Sequence, residues 1–368
     1  MGERLPVTVV TSSGDVLRQV VASAVLFDVP NSVVVQHDLG HGSEPALRRV
    51  VYDVGGVVED EVVRLEHTCL SCALREDVIP AVARLADTGR WGRIVLALPV
   101  AAEPGLVVEA LPSAVVAGRR MSERVALAGV VAAVDLATLV DDLFGDDLLA
   151  ERGMAHTADD RRAVGEVLAH QVEFADVVVT QGASWQDAAC RETTMLRHLA
   201  PATARFGDAH EFDFASALSA VGEVPRPGVR GDYRSAEPTG ATDSDAVWTL
   251  DLTTWRPLHP GRLRERIGEL AAGRQRSRGR FWLPTRPGAV CCWDCAGGQL
   301  SIGTVGRWRG VPPSTRLVVT GIDDDRERLR TVFADVLMTD SELARGLDRW
   351  EGRDDGFSPW LGEADEAA

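Results

Sequence analysis

His67, Cys69 and Cys72 are the residues best equipped for chemistry in this chain; they stand in the run His67-Thr68-Cys69-Leu70-Ser71-Cys72. Two thiols spaced C-x-x-C with an imidazole just ahead form a soft donor set that suits zinc. The same spacing suits a redox pair, and the bland reading is two buried, inert cysteines. Two thiolates and one imidazole leave one tetrahedral position for water or a partner's side chain, as a transfer or sensing site requires. Glu61 to Leu65 reads as a short strand, and Val78, Ile79, Val82 and Leu85 recur at helical spacing. The pair therefore falls in a strand-to-helix turn, where the helix N-terminus is expected to lower the thiol pKa. His37 and His41, flanking Asp38, are further ligands if their strand end faces the same crevice. Cys291, Cys292 and Cys295 form a second cluster. In a strand Cys291 and Cys292 point to opposite faces, so these read first as sheet residues and otherwise as a second zinc or redox site. Cys190 reads as buried filler.

The second chemical feature is cationic. All 39 basic side chains are arginine, which excludes any mechanism that needs lysine. Arg262, Arg264, Arg266, Arg274, Arg276, Arg278 and Arg280 face only Glu265 and Glu269 as acids in the same stretch, a local charge of about +5. Guanidinium forks suit phosphate oxygens, so this stretch is a candidate RNA or partner contact; a solvated or internally paired face is the competing reading. The net charge of −16 argues against sequence-specific or indiscriminate DNA binding. No apolar run reaches the about 18 residues of a membrane span. Six cysteines do not make a disulfide framework, and Met1 to Pro6 lacks a signal-peptide pattern, so a cytoplasmic protein is expected.

These residues need a scaffold, and the patterning supplies one. Leu5 to Val10 and Ser32 to Gln36 are apolar runs typical of doubly buried strands, separated by a helical pattern from Val16 to Phe27. Val50 to Val58 and Glu61 to Leu65 suggest a hairpin turning near Glu59-Asp60. Arg93 to Leu98, Leu127 to Val134 and Ala175 to Thr180 continue the strands, with an amphipathic stretch from Val167 to Phe174. Strands alternating with helices predict a doubly wound, mostly parallel α/β sheet. Residues 1–222 form this domain. Residues 223–245, rich in Pro, Gly, Ser and charge, read as a linker. Residues 246–350 carry strands at Trp248–Thr253, Arg280–Leu283, Val290–Asp294, Gln299–Thr304 and Arg316–Gly321, with helices at Pro260–Leu270 and Arg326–Leu337, and predict a smaller α+β domain with Trp282, Trp293 and Trp308 in its core. Residues 351–368 read as an acidic tail without structure.

Several motifs in order resemble the CobW-type proteins of the G3E family of P-loop GTPases, over roughly Pro6 to Leu343. Cys69 and Cys72 keep the outer positions of that family's C-x-C-C motif, with Ser71 in the middle. Val130-Val131-Ala132-Ala133-Val134-Asp135 and Glu173 to Val179 resemble its later strands. Arg256-Pro257-Leu258-His259-Pro260-Gly261-Arg262-Leu263, Arg278 to Leu283, Ala296 to Trp308 and Leu337 to Leu343 resemble its C-terminal domain. The resemblance implies a P-loop-NTPase-like sheet, zinc as the metal, and a role in metal trafficking. The departures fall on the nucleotide motifs. The loop after Val10 has one glycine, no lysine, and Asp15 where phosphate would bind. Ala97 and Val100 replace a glutamate and a glycine, and Gln181-Gly182-Ala183-Ser184 replaces the guanine signature. That pattern implies a fold retained without GTP·Mg chemistry. It is similar to an actinobacterial CobW-like subgroup linked to zinc limitation, which implies an adaptor recruiting a ribosome hibernation factor to the ribosome. The family at large implies the alternative, a GTP-dependent zinc metallochaperone.

Overall fold

Val7 to Ser12 are all buried, because helices cover both faces of the strand they belong to. The computed structural model describes residues 4–39, 46–67, 69–157, 159–182, 190–221 and 236–363. The elements run β1 (Leu5–Ser12), α1 (Asp15–Asp28), β2 (Ser32–Leu39), β3 (Ala46–Asp53), β4 (Gly56–Arg64), α2 (Leu70–Ala73), a π-helical turn (Leu74–Val78), α3 (Ile79–Thr88), β5 (Arg93–Ala97), α4 (Pro104–Ser113), β6 (Val115–Val116), β7 (Arg119–Arg120), β8 (Val125–Asp135), α5 (Leu139–Phe144), α6 (Val164–Glu173), β9 (Val177–Gln181), α7 (Arg191–Leu199), β10 (Arg205–Asp208) and α8 (Phe214–Val221). Then come β11 (Trp248–Thr254), α9 (Pro260–Ala271), β12 (Gln275–Phe281), β13 (Ala289–Ala296), β14 (Gln299–Arg307), β15 (Thr315–Gly321), α10 (Arg326–Val336), α11 (Asp340–Leu343) and α12 (Ser358–Leu361). The chain divides into two units, the second comprising 143–146 and the residues from 231 on.

The first unit is built on an eight-stranded sheet in the order β10-β9-β8-β1-β5-β2-β3-β4. Every neighbouring pair is parallel except β2–β3 and β3–β4. Val7 and Val9 of β1 pack toward α3 and α4, and Val10 packs toward α1 and α8, so the period-2 alternation of β1 is hidden by burial on both sides. This is the doubly wound α/β architecture that the apolar runs predict.

One expectation fails locally. The β3–β4 hairpin turns at Val54-Gly55, not at Glu59-Asp60. The Asp53 carboxylate accepts from the Gly55 N–H at 2.8 Å, and Gly56 takes φ 118°, which only glycine adopts readily. Glu59, Asp60 and Glu61 lie mid-strand because arginines hold them there. Arg48 donates to Asp60 at 2.9 and 2.7 Å, Arg84 donates twice to Glu59, and Arg49 pairs with Glu61.

The second unit is a five-stranded antiparallel sheet, β11-β15-β12-β13-β14, with α9 and α10 packed over one face. Trp293 is fully buried and Trp282 and Trp308 nearly so, as the core reading has it. β12 begins at Gln275, five residues earlier than the apolar pattern suggests, because its alternate positions carry arginine. The tail is a second correction. Over 351–363 it folds onto this unit: Phe357 and Leu361 join the core, and buried Asp355 accepts from Arg286 (3.0 Å, twice), Thr285 (2.7 Å) and the Phe357 N–H (2.9 Å). Counting acids concealed the apolar anchors on either side of Ser358-Pro359-Trp360. Within the expected linker, residues 236–245 carry no helix or strand, though Ala236 is buried; 222–235 lie outside the described residues. Among the described residues, no helix is long and apolar enough to cross a membrane.

Candidate metal centre at the Cys69–Cys72 turn

β4 ends at Arg64, and three residues later the chain presents His67 at the surface. Cys69 is the N-cap of α2, with its Sγ accepting from the Cys72 N–H at 3.4 Å. The Cys72 Sγ lies 3.8 Å from His67 Nδ1, and Arg75 Nη2 approaches the same sulfur at 3.9 Å. Glu76 ties the turn down from the other side, its carboxylate accepting from the Glu66 N–H at 2.9 Å. Thus His67, Cys69 and Cys72 are brought together at one helix start. Among the described residues, no three His, Cys, Asp or Glu side chains already form a closed metal cage. The donor types fit zinc, and the side chains must rotate to enclose it.

The expected lowering of the thiol pKa is not found at Cys72; its pKa is raised. The largest cause is the hydrogen bond with the Cys69 sulfur, followed by burial and by the negative charges of Cys69 and Glu76, against which Arg75 acts alone.

Behind the turn lies a buried network that the sequence reading missed. The π-helical turn swings Asp77 inward, where its carboxylate bonds His37 Nε2 at 3.0 Å and pairs with Arg49. Burial, outweighing the Asp77 contact, lowers the His37 pKa below its ordinary value. His37 is therefore a brace between β2 and the helix and not a surface ligand; His41 lies outside the described residues. The available signal was Arg49 itself, a charged residue at an inward position between Leu47 and Val51.

The other cysteines are placed for packing. Cys291 and Cys295 point into the core of the second unit and Cys292 to the opposite face, and burial pushes their thiols up to about 12 (Cys291) and about 11 (Cys292 and Cys295). Cys190 is half-buried and caps α7, its Sγ 3.1 Å from Glu192, so it is not the buried filler expected.

The arginine stretch does not form one free cationic face. Arg262 holds Glu342 with two 2.8 Å bonds, and Arg266 pairs with Glu269 and Asp335. Arg274 pairs with Asp323, buried Arg276 with Asp294, and Arg280 reaches Ser314 at 3.3 Å. Most of these partners are distant in sequence, so a local charge count could not see them. Arg264 and Arg278 complete the stretch on α9 and β12.

Two family models match the chain. "CobW/HypB/UreG, nucleotide-binding domain" matches residues 47–204, and "Cobalamin synthesis protein cobW C-terminal domain" matches 247–337. The two matched segments are thus similar to the two domains of CobW-type proteins. Among similar proteins, "Zinc chaperone Rv0106" of Mycobacterium tuberculosis is 27% identical over 89% of this chain and 87% of its own length. "Zinc-regulated GTPase metalloprotein activator 1" of Dictyostelium discoideum is 22% identical over 68% of this chain and 55% of its own. A solved structure, the Zn(II)-bound YjiA GTPase from E. coli, is 16% identical with a TM-score of 0.37, covering 91% of this chain and 99% of that one.

GTP and magnesium, implied for a CobW protein, do not fit the residues present. The family match starts at residue 47, after the strand-loop-helix unit that would cradle phosphate. Here that loop is only Ser13-Gly14, too short to wrap a phosphate. The cleft beside it, about 490 Å³, is lined by Ser13, Asp15, Gln36, Asp38, Pro99 and His156 among others. Fully buried Arg18 donates to the carbonyls of His37 (3.1 Å) and Leu98 (2.7 Å) and pairs with two of the lining carboxylates, Asp15 and Asp38. Ala97 ends β5 where a magnesium-binding carboxylate would stand. The next acid, Glu103, is taken by His170 (2.8 Å) and Arg162 (2.7 Å); burial alone would raise its pKa, but these two partners hold it at about 2. Gln181 donates to Asp135 at 2.8 Å, while Ala183 and Ser184 lie outside the described residues.

Proposed function

We propose that this chain is a zinc metallochaperone of the CobW family that carries zinc on Cys69, Cys72 and His67 and releases it to a protein partner without nucleotide turnover. The observation that carries this is that two thiols and an imidazole lie at one turn, with Cys72 Sγ 3.8 Å from His67 Nδ1, a donor set that would leave a fourth tetrahedral position for a partner. Zinc is the cargo. Its binding requires both thiolates, so loading releases protons and draws His67 and α2 together. That ordering makes the turn a switch that a partner can sense. The names of the mycobacterial and Dictyostelium relatives support zinc as the metal.

Zinc titration against a chromophoric chelator tests the proposal. The unmodified chain binds one zinc, and the Cys69→Ser/Cys72→Ser pair weakens it by at least about 100-fold, or about 2.7 kcal/mol. Equal affinity in the double variant would sink the reading.

A second reading is favoured by the two-residue Ser13-Gly14 loop: a chain that keeps the fold without a phosphate cradle acts by binding alone. On this reading it is a zinc-responsive adaptor whose partner is a ribosome hibernation factor or the ribosome. Co-sedimentation with ribosomes that responds to zinc supports it, and absence of co-sedimentation at any zinc level removes it.

A further inference from the structure

All six cysteines are free, and they sit in three different settings. Cys291, Cys292 and Cys295 lie on one extended strand, β13. Cys291 and Cys292 face opposite ways there, and Cys295 lies about 10–13 Å further along. A disulfide bridges Cα atoms no more than about 7 Å apart, so these three do not pair with one another. Cys190 caps α7, with its sulfur against Glu192. Cys69 and Cys72 differ from all of these. They stand three residues apart at a helix start, and at helical spacing such Cα atoms are about 5 Å from one another. That is a span a disulfide closes without moving the backbone.

The two side chains are already turned toward each other. The Cys69 Sγ accepts from the Cys72 N–H at 3.4 Å, and the two thiols hydrogen-bond one another. Access is unequal: Cys69 is half-buried, whereas Cys72 is 8% exposed. An oxidant in solution therefore reaches Cys69 first, with Cys72 one turn behind it. Two groups attend the Cys72 sulfur. His67 Nδ1, at 3.8 Å, can take its proton, and Arg75 Nη2, at 3.9 Å, can steady a thiolate. An accessible cysteine backed by a second one is the arrangement that turns a sulfenic acid into a disulfide before further oxidation.

We propose that hydrogen peroxide closes Cys69 and Cys72 into a reversible disulfide, and that this closure releases zinc from the turn. The Cys69 sulfur attacks one peroxide oxygen; the O–O bond breaks, Cys69 becomes a sulfenic acid, and water leaves with the thiol proton. The Cys72 sulfur then attacks the Cys69 sulfur; the S–O bond breaks and the S–S bond forms. The Cys72 proton passes through His67 to the departing hydroxide, giving a second water. The two thiols lose two electrons in all, and the peroxide gains them. In the loaded chain both sulfurs enter as thiolates, so the two protons come from solvent and zinc leaves as the free ion. A thiol reductant reverses the closure by exchange. Closure removes both thiolates from the donor set, and His67 by itself cannot retain the metal. The release rests on the reading of the turn as a zinc site; the disulfide does not.

Peptide mapping of the full-length chain tests this. Cleavage after Arg64 and Arg75 gives one peptide, Leu65–Arg75, that holds Cys69 and Cys72 and no other cysteine. After equimolar hydrogen peroxide and alkylation in denaturant, that peptide should have lost two hydrogens and take no label. Dithiothreitol restores both labels, and the peptides carrying Cys190, Cys291, Cys292 and Cys295 stay labelled throughout. Cys72→Ser stops the reaction at a Cys69 sulfenic acid that dimedone traps. On the zinc-loaded chain, a chromophoric chelator too weak to strip the metal records zinc set free by peroxide and taken back after reduction. A Leu65–Arg75 peptide that keeps both labels, or that goes to sulfinic acid without a disulfide, overturns the proposal in a chain that still binds zinc. A disulfide that forms while zinc stays bound overturns the release. Full zinc affinity in C69S/C72S removes the zinc reading instead, and the peptide map alone then decides the disulfide.

Discussion

Two strand-to-helix turns lie at the carboxyl end of the same sheet, since β1 and β4 run in the same direction. The β1–α1 turn is closed by its own charges: Arg18, with no exposure, satisfies two carbonyls and two carboxylates. The β4–α2 turn is open, with His67 at the surface and Cys69 half-buried. The difference teaches where exchange can happen. Charges that already hold one another offer no donor to a metal, whereas thiols and an imidazole at a surface turn can close on a metal and let it go.

The contrast can be broken from the closed side first. Arg18→Ala removes four contacts and leaves two carbonyls unsatisfied, which should cost about 3 kcal/mol in denaturant unfolding while zinc affinity stays within about twofold. A loss of zinc binding in a still-folded R18A chain would mean that the two turns are coupled. Next in size is the brace behind the open turn. His37 has a folded-state pKa below its unfolded value, so its contribution to stability is present above about pH 6.5 and is lost as pH falls toward the folded pKa. Unfolding midpoints measured from pH 8 to pH 5 should fall with a slope of up to about 1.4 kcal/mol per unit, and His37→Gln should flatten that slope. The smallest effect sharpens the ligand set. His67→Ala should weaken zinc by only about tenfold, because the two thiolates remain. Unchanged chelator competition in that variant would assign the third position to water or a partner.

Much of the first unit could be read from the chain, because buried parallel strands write themselves as continuous apolar runs such as Leu5 to Val10. The hairpin turn was misread because Glu59-Asp60 looks like a turn unless Arg48 and Arg84 are known to hold it. For the arginine stretch the internally paired alternative is the one the acids support, since Glu342, Asp335 and Asp323 reach it from elsewhere in the chain. The cysteine turn was legible, since its spacing is local.

What the sequence by itself determined is local chemistry and periodicity: the donor set at His67, Cys69 and Cys72, the absence of lysine and of a phosphate loop, and the alternation of strands and helices. Only the tertiary structure decided which charges are spent on one another. Ion pairs such as Arg49–Asp77, Arg276–Asp294 and Arg286–Asp355 join residues far apart in the chain, and their formation depends on burial and proximity that no local pattern encodes. The same fact separates the two turns: Asp38 and Leu98 must be carried beside Arg18 by the sheet before its charges are met, whereas the donors of the other turn come from one short run, His67 to Cys72.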